Sequence, residues 1–197
     1  IFINQPPFPT NFAPKQFRVL VTFNFTRLEV PLQLTLFVLT TLFDNHGRPI
    51  KYVRLAVTDR CNLRCFYCMP EEGIQYLPKK HLLTFEEIER LISVLAGMGI
   101  SKVRLTGGEP FVRSDLMQLI KKISDIPGIH DVHLTTNGVL TAPHIPKLKE
   151  LGIASVNLSL DTLDRSRFHT ITRRDEFVPV MKTLYLLLEH EIPVKIN

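Results

Sequence analysis

Beyond residue 50 the chain switches repeatedly between two hydrophobic periods. "YVRLAVT" (52–58) is short and rich in β-branched residues, and predicts a strand. "TFEEIERLISVLAGMG" then carries Ile88, Leu91, Ile92 and Leu95 at helical spacing. Thr84 and Glu87 supply a capping box at its start, and Gly97 and Gly99 mark its end. "KVRLT" (102–106) predicts a second strand, and Ser114 opens a helix with Leu116, Leu119, Ile120 and Ile123 on one face. A strand over 131–136, a helix to about Leu151, a strand over 155–160, a helix from about Glu176 to His190 and a last strand, "PVKIN", follow. Five strands thus alternate with four helices, and the connections are long enough for right-handed βαβ crossovers. The class is α/β with a parallel sheet.

A doubly wound nucleotide fold would carry a G-x-G-x-x-G after its first strand or a G-x-x-x-x-G-K-[ST] loop, and neither is present. Polar residues gather instead after the strand C-termini: Thr58 and Asp59, then "TGGEP", "TTNG" and "SLDT". A (β/α) barrel places its chemistry there. The last residue, Asn197, falls in or just after the fifth strand, so the reading is a partial (β/α) TIM-like barrel.

Composition narrows the setting. A chain of 197 residues, 45% hydrophobic and 22% charged, suits one globular domain rather than two large ones. The net charge of +5 suits an anionic small molecule, while no basic run with interleaved aromatics argues for nucleic acid. No apolar stretch reaches the roughly 18–20 residues of a membrane-spanning helix, so no membrane is expected. Residues 1–43 stand apart: they hold eight of the thirteen phenylalanines, with Lys15, Arg18 and Arg27 against the single acid Glu29. They read as an atypical extension, either poorly ordered or an organelle-targeting segment, although serine is absent. The domain proper is expected over 44–197.

"CNLRCFYC" (61–68) holds all three cysteines, Cys61, Cys65 and Cys68, directly after the first strand. An odd, clustered count speaks for reduced thiols rather than a secreted disulfide framework. A structural zinc site needs a fourth ligand, and the nearest histidine beyond the cluster is His81. A redox Cys65–Cys68 pair would leave Cys61 unexplained. A 4Fe-4S cluster with one iron left open ranks first, since such clusters otherwise take four cysteines. Zinc and inert thiols stay open behind it. Three strands also carry a lone cation among apolar neighbours: Arg54, Arg104 and Lys195. If both faces of the sheet are buried, each needs an anion. Pairing with Glu109, Asp59 or Asp161 would serve, and so would one polyanionic ligand at the barrel mouth.

C-x₃-C-x₂-C with Tyr67 before the last cysteine resembles the radical S-adenosylmethionine superfamily, as does "TGGEP" after the second strand. Within it, "KYVRLAVTDRCNLRCFYCMPEEG", "KVRLTGGEPFVR", "LTTNG", "VNLSLDT" and "VKIN" resemble the GTP 3′,8-cyclase family of molybdenum cofactor biosynthesis from about Leu42 to Asn197. "MPEEGIQYLPKKHLLT" and "RRDEFVPVM" are most similar to its animal form, which implies a mitochondrial matrix protein if the source is eukaryotic and a cytoplasmic one otherwise.

The resemblance implies a six-strand incomplete barrel, of which five strands are here, and a 4Fe-4S cluster on Cys61, Cys65 and Cys68. It implies S-adenosylmethionine held by Tyr67, Gly107, Gly108, Glu109 and Ser159, and GTP held by Arg54, Arg104, Thr135 and Lys195. The glycines would let backbone approach the cofactor's methionyl amine. The implied reaction cleaves S-adenosylmethionine to a 5′-deoxyadenosyl radical, abstracts hydrogen from GTP and closes 3′,8-cyclo-7,8-dihydro-GTP. A downstream pterin synthase would use that product. No catalytic base is nominated, the electron donor is unspecified, and an oligomer is compatible. The family's second three-cysteine cluster and Gly-Gly tail do not occur, so the chain reads as a C-terminally truncated fragment lacking the full reaction. The alternatives are another radical enzyme of the superfamily, such as a peptide modifier, and a zinc-binding interaction module.

Overall fold

The structure, a computed structural model, describes residues 41–197. Five strands form its frame: β1 (Tyr52–Ala56), β2 (Lys102–Thr106), β3 (Asp131–Thr136), β4 (Ser155–Leu158) and β5 (Val194–Ile196). All neighbours pair in parallel, in the order β1-β2-β3-β4-β5. That sequential order belongs to a barrel, because a doubly wound sheet reverses direction partway. The sheet is not closed. The expected extension lies, up to residue 40, outside the described residues. From Leu42 onward the chain already joins the domain, its N–H donating to the Met98 carbonyl.

Helices α1 (Phe85–Gly97), α2 (Leu116–Ser124), α3 (Ile145–Glu150), α4 (Arg165–Thr172) and α5 (Phe177–Glu189) fill the connections. The capping box forms as the sequence indicates: Thr84 Oγ1 accepts from Glu87 N–H, and Glu87 accepts from Thr84 N–H at 2.7 Å. At the other end Gly99 takes a φ of +93°, which lets Ile100 N–H reach back to the Leu95 carbonyl. Ser114 is not the residue that opens α2. Asp115 precedes the helix in the left-handed region, at a φ of 60°, after the 3-10 turn Pro110–Val112. A fifth helix, α4, was not expected.

One expectation is overturned by the sheet itself. The strands are not buried on both faces: β1 to β4 alternate, and in β5 Ile196 as well as Lys195 is exposed. Leu55, Val103, Leu105, Val132, Leu134, Val156 and Leu158 are buried, and the helices pack their own apolar stripes on that face. The other face carries Tyr52, Arg54, Lys102, Arg104, Asp131, His133, Thr135, Ser155, Asn157 and Lys195, all exposed or half-buried. The cations therefore belong to a continuous polar surface instead of interrupting an apolar core.

Candidate active site at the C-terminal rim

The cysteine loop begins where β1 ends, and the ladder to β2 continues into it. Val57 N–H donates to the Thr106 carbonyl, Gly108 N–H to Thr58, and Glu109 N–H to Arg60. This zipper explains the two glycines. A Cβ on Gly108 would overlap the Arg60 carbonyl and lie 2.9 Å from the Asp59 oxygen, and one on Gly107 would overlap the Thr58 carbonyl. The close approach they permit is that of the cysteine loop's own backbone.

From below, Leu63 plugs the loop into a cluster with Leu158, Leu160, Phe168 and Val180. Burying such a side chain contributes about 1.5–3 kcal/mol. From the side, α4 clamps it. Arg64 N–H donates to the Thr172 carbonyl and Phe66 N–H to that of Ile171, both at 3.0 Å. These are the carbonyls that a helix C-terminus leaves unpaired. Arg173, in the left-handed conformation, returns a guanidinium bond to the Met69 carbonyl at 3.1 Å. Arg64 ties the loop to itself through the Cys61 and Leu63 carbonyls at 2.8 Å. The sequence reading missed these arginines and α4 altogether.

Cys61, Cys65 and Cys68 are free thiols, the first two half-buried and the third exposed. Burial pushes all three up, Cys65 to about 11, and each is pushed further by a neighbour: Cys61 by Cys65, Cys65 by Cys68, Cys68 by Cys61. The three thiols thus share one loop and raise one another's pKa, and binding a metal must displace their protons. Among the described residues, no three His, Cys, Asp or Glu side chains group as a single metal ion would need. Three thiols in one loop, with no fourth protein ligand grouped with them among the described residues, suit a cluster that keeps one iron open, whereas a structural zinc takes four protein ligands. Asn137 reaches the loop from β3, its Nδ2 donating to Asn62 Oδ1 at 2.8 Å and lying 3.7 Å from Cys61 Sγ. Tyr67, more than half exposed, donates its hydroxyl to Asp161 beyond β4 at 3.0 Å.

Glu109 is fully buried, and three protein donors occupy its carboxylate. Oε1 accepts from Phe111 N–H and Thr136 Oγ1, and Oε2 from Asn137 N–H at 2.7 Å. Burial pushes its pKa up while these bonds pull it down. The glutamate thus ties the glycine-rich turn to the end of β3, beside the cysteine loop. Ser159 continues the polar face one step beyond β4, its N–H bonded to the Thr136 carbonyl.

Below the rim the register arranges the polar face in rows. Tyr52, Lys102 and Asp131 form the lowest, with Lys102 and Asp131 paired at 2.8 Å. Arg54, Arg104, His133 and Ser155 form the next, and Thr135, Asn157 and Lys195 the one nearest the rim. Arg54 and Lys195 are exposed, and Arg104 donates to Tyr52 Oη at 3.0 Å and to the Leu134 carbonyl. None of the three pairs with an acid among the described residues, so the expected partners Glu109, Asp59 and Asp161 do not neutralise them.

A partial parallel barrel with three clustered thiols after β1 and a glycine-rich turn after β2 defines a class. Residues 55–197 match the Radical SAM superfamily, and the chain belongs to it. Among curated relatives, the GTP 3′,8-cyclase of Pelotomaculum thermopropionicum is 48% identical over 155 residues, covering 78% of this chain and 48% of that protein. The mitochondrial GTP 3′,8-cyclase of Arabidopsis thaliana is 45% identical over 157 residues, covering 79% and 40%. The chain spans about half the length of the curated relatives it matches. Among solved structures, anSMEcpe with bound AdoMet aligns over 74% of this chain and 42% of its own, at a TM-score of 0.60 and 18% identity. Methylornithine synthase aligns over 81% and 45%, at 0.59 and 18%. These two establish the fold.

Proposed function

We propose that this chain is the cluster-bearing barrel portion of a GTP 3′,8-cyclase. The observation that carries the reading is the placement of Arg54, Arg104 and Lys195 on one open face, beneath the rim that holds the three thiols. A polyanion bound across these cations would have its far end at the cysteine loop. The names of the curated relatives supply the particular substrate, GTP.

In this reading Cys61, Cys65 and Cys68 hold a 4Fe-4S cluster, and Tyr67, Gly107, Gly108 and Ser159 line the place of S-adenosylmethionine. When bound, the two together supply one-electron chemistry at the ribose of GTP. The protein's part is positioning. Arg54, Arg104 and Lys195 fix the triphosphate by charge-assisted bonds, Thr135 adds a hydroxyl between them, and the face holds the ribose toward the rim. Glu109 braces the turn through its three bonds, and Oε2, which accepts only one of them, keeps a lone pair for S-adenosylmethionine. A pterin synthase would take the product, a separate electron donor would serve the cluster, and a eukaryotic source would place the protein in the mitochondrial matrix. Among the described residues no helix is long and apolar enough to cross a membrane.

The test is GTP binding by calorimetry on the anaerobically reconstituted chain. Arg54→Met and Lys195→Met keep the apolar stems and remove the charges. Each should weaken GTP by more than about 1.5 kcal/mol while iron content stays near four per chain. Unchanged affinity in both variants would overturn the assignment of the face.

A further inference from the structure

His133 sits in the middle of the sheet on the polar face. It stands in register between Arg104 on β2 and Ser155 on β4. Ser155 Oγ lies 2.7 Å from its Nδ1, which fixes the ring plane. Among the described residues no partner is found for its other ring nitrogen. The one carboxylate on its own strand face, Asp131, is committed to Lys102 at 2.8 Å.

Resting on the GTP reading above, we propose that His133 is a further substrate-positioning residue, one that binds the phosphate chain and takes up a proton as it does so. Its row is Arg54, Arg104, His133 and Ser155, and the row of Thr135, Asn157 and Lys195 lies two residues nearer the rim. His133 on β3 lies two strands (about 10 Å) and two residues (about 7 Å) from Lys195 on β5, a separation that a phosphate chain slanting across β4 spans together with the extended lysine side chain. Arg54, Arg104 and Lys195 are charged before any ligand arrives. His133 is the member of the face whose charge depends on the ligand.

Burial, then the charges of Arg104 and, more weakly, Lys102 on β2, hold the imidazole below its ordinary pKa, while Asp131 on its own strand pushes the other way. Arg54 shares the row one strand farther off, His130 precedes β3, and β4 presents only the neutral Ser155 and Asn157 to this face. An arriving polyanion reverses the balance and raises the pKa. The proton comes from buffer. Affinity therefore rises as pH falls through the range between the free and bound values.

The test compares wild type, His133→Ala, His133→Gln and Arg54→Met, each checked by thermal melting. Calorimetry would follow GTP, inorganic triphosphate and guanosine at pH 6 and pH 8, in two buffers of different ionisation enthalpy. Wild type should bind a fraction of a proton more than His133→Gln with GTP and with inorganic triphosphate, the terminal phosphate's own titration being common to both, and no more with guanosine. His133→Ala should weaken GTP about tenfold at pH 6 and less than about threefold at pH 8, the loss of one charge-assisted bond. His133→Gln should keep most of the pH 8 affinity and lose that extra uptake. If Arg54→Met weakens GTP and His133→Ala does not, the inference falls and the reading of the face stands. Equal weakening at both pH values would mark a merely structural histidine and overturn it. If wild type binds neither GTP nor inorganic triphosphate, both fall together.

Discussion

Replacing Glu109 by Gln changes one atom and tests the brace between the glycine-rich turn and β3. Both carboxylate oxygens accept, and both face a backbone N–H that cannot turn away: Phe111 at 3.1 Å from Oε1, Asn137 at 2.7 Å from Oε2. A glutamine must aim its NH₂ at one of them. The cheaper choice is the Oε1 side, because Thr136 Oγ1 can turn its proton to Thr141 Oγ1, 2.9 Å away, and accept from the amide instead. Phe111 N–H is then left without a partner. An unpaired buried donor costs about 1–3 kcal/mol. The remaining bonds also lose their charge assistance, whereas the neutral side chain is easier to bury than the carboxylate, whose pKa burial pushes up. These two effects oppose each other, so the net loss should be about 2 kcal/mol. Urea unfolding would show it as a lower midpoint at an unchanged m-value. A Glu109→Gln protein within about 0.5 kcal/mol of wild type would refute the hydrogen-bond account of this residue.

Gly108→Ala should push the loop off the glycine-rich turn, because the clash is with the Arg60 backbone rather than a movable side chain; iron bound per chain should fall well below wild type, and full loading would sink the argument. Acid should loosen α4 before the sheet. Asp164, whose pKa the Arg167 N–H lowers, caps its start, and Asp175, lowered by its bond to Arg165, braces it. Lowered carboxylate values mean stabilisation is present above the unfolded value of about 4 and is lost as pH falls through the folded one. Amide exchange of residues 168–172, corrected for intrinsic rates, should therefore speed up below about pH 4 in wild type. An Asp164→Asn/Asp175→Asn protein with the same acid dependence would contradict this.

The strands and most helices were legible because packing and period agree there. Ile88 and Ile92, or Leu116, Leu119, Ile120 and Ile123, form stripes because each residue of the stripe is buried. The cysteine loop was legible because three thiols in eight residues have few other uses. Helix α4 was not, since it buries only Phe168 and Thr172, a single i, i+4 pair with no stripe to read. Its contribution is made by backbone carbonyls at its end, which leave no mark in side-chain pattern. The role of the glycines was half legible. "TGGEP" declared a close approach, but the sequence does not say that Thr58 and Arg60 are what approach. The cations were misjudged for a different reason: polar and apolar residues alternate in plain view in "KVRLT" and "SVNL", but a parallel barrel was expected to bury both faces of its strands.

The alternation of β1 to β4 also bears on how the chain finds its fold. Side chains in a strand repeat every two residues, so a slip of one residue in any pairing exchanges the two faces completely. A slipped β2 would drive Lys102 and Arg104 beneath the helices and turn Val103 and Leu105 outward. A slipped β3 would bury Asp131 and His133 in the same way. Each such error strands charge in an apolar layer, so misregistered pairings are strongly disfavoured against the correct one. The polar face thus acts as a register check during assembly, independently of anything it binds afterwards. An anion present while the chain folds would reinforce that check, by rewarding only the pairing that brings the cations to one side.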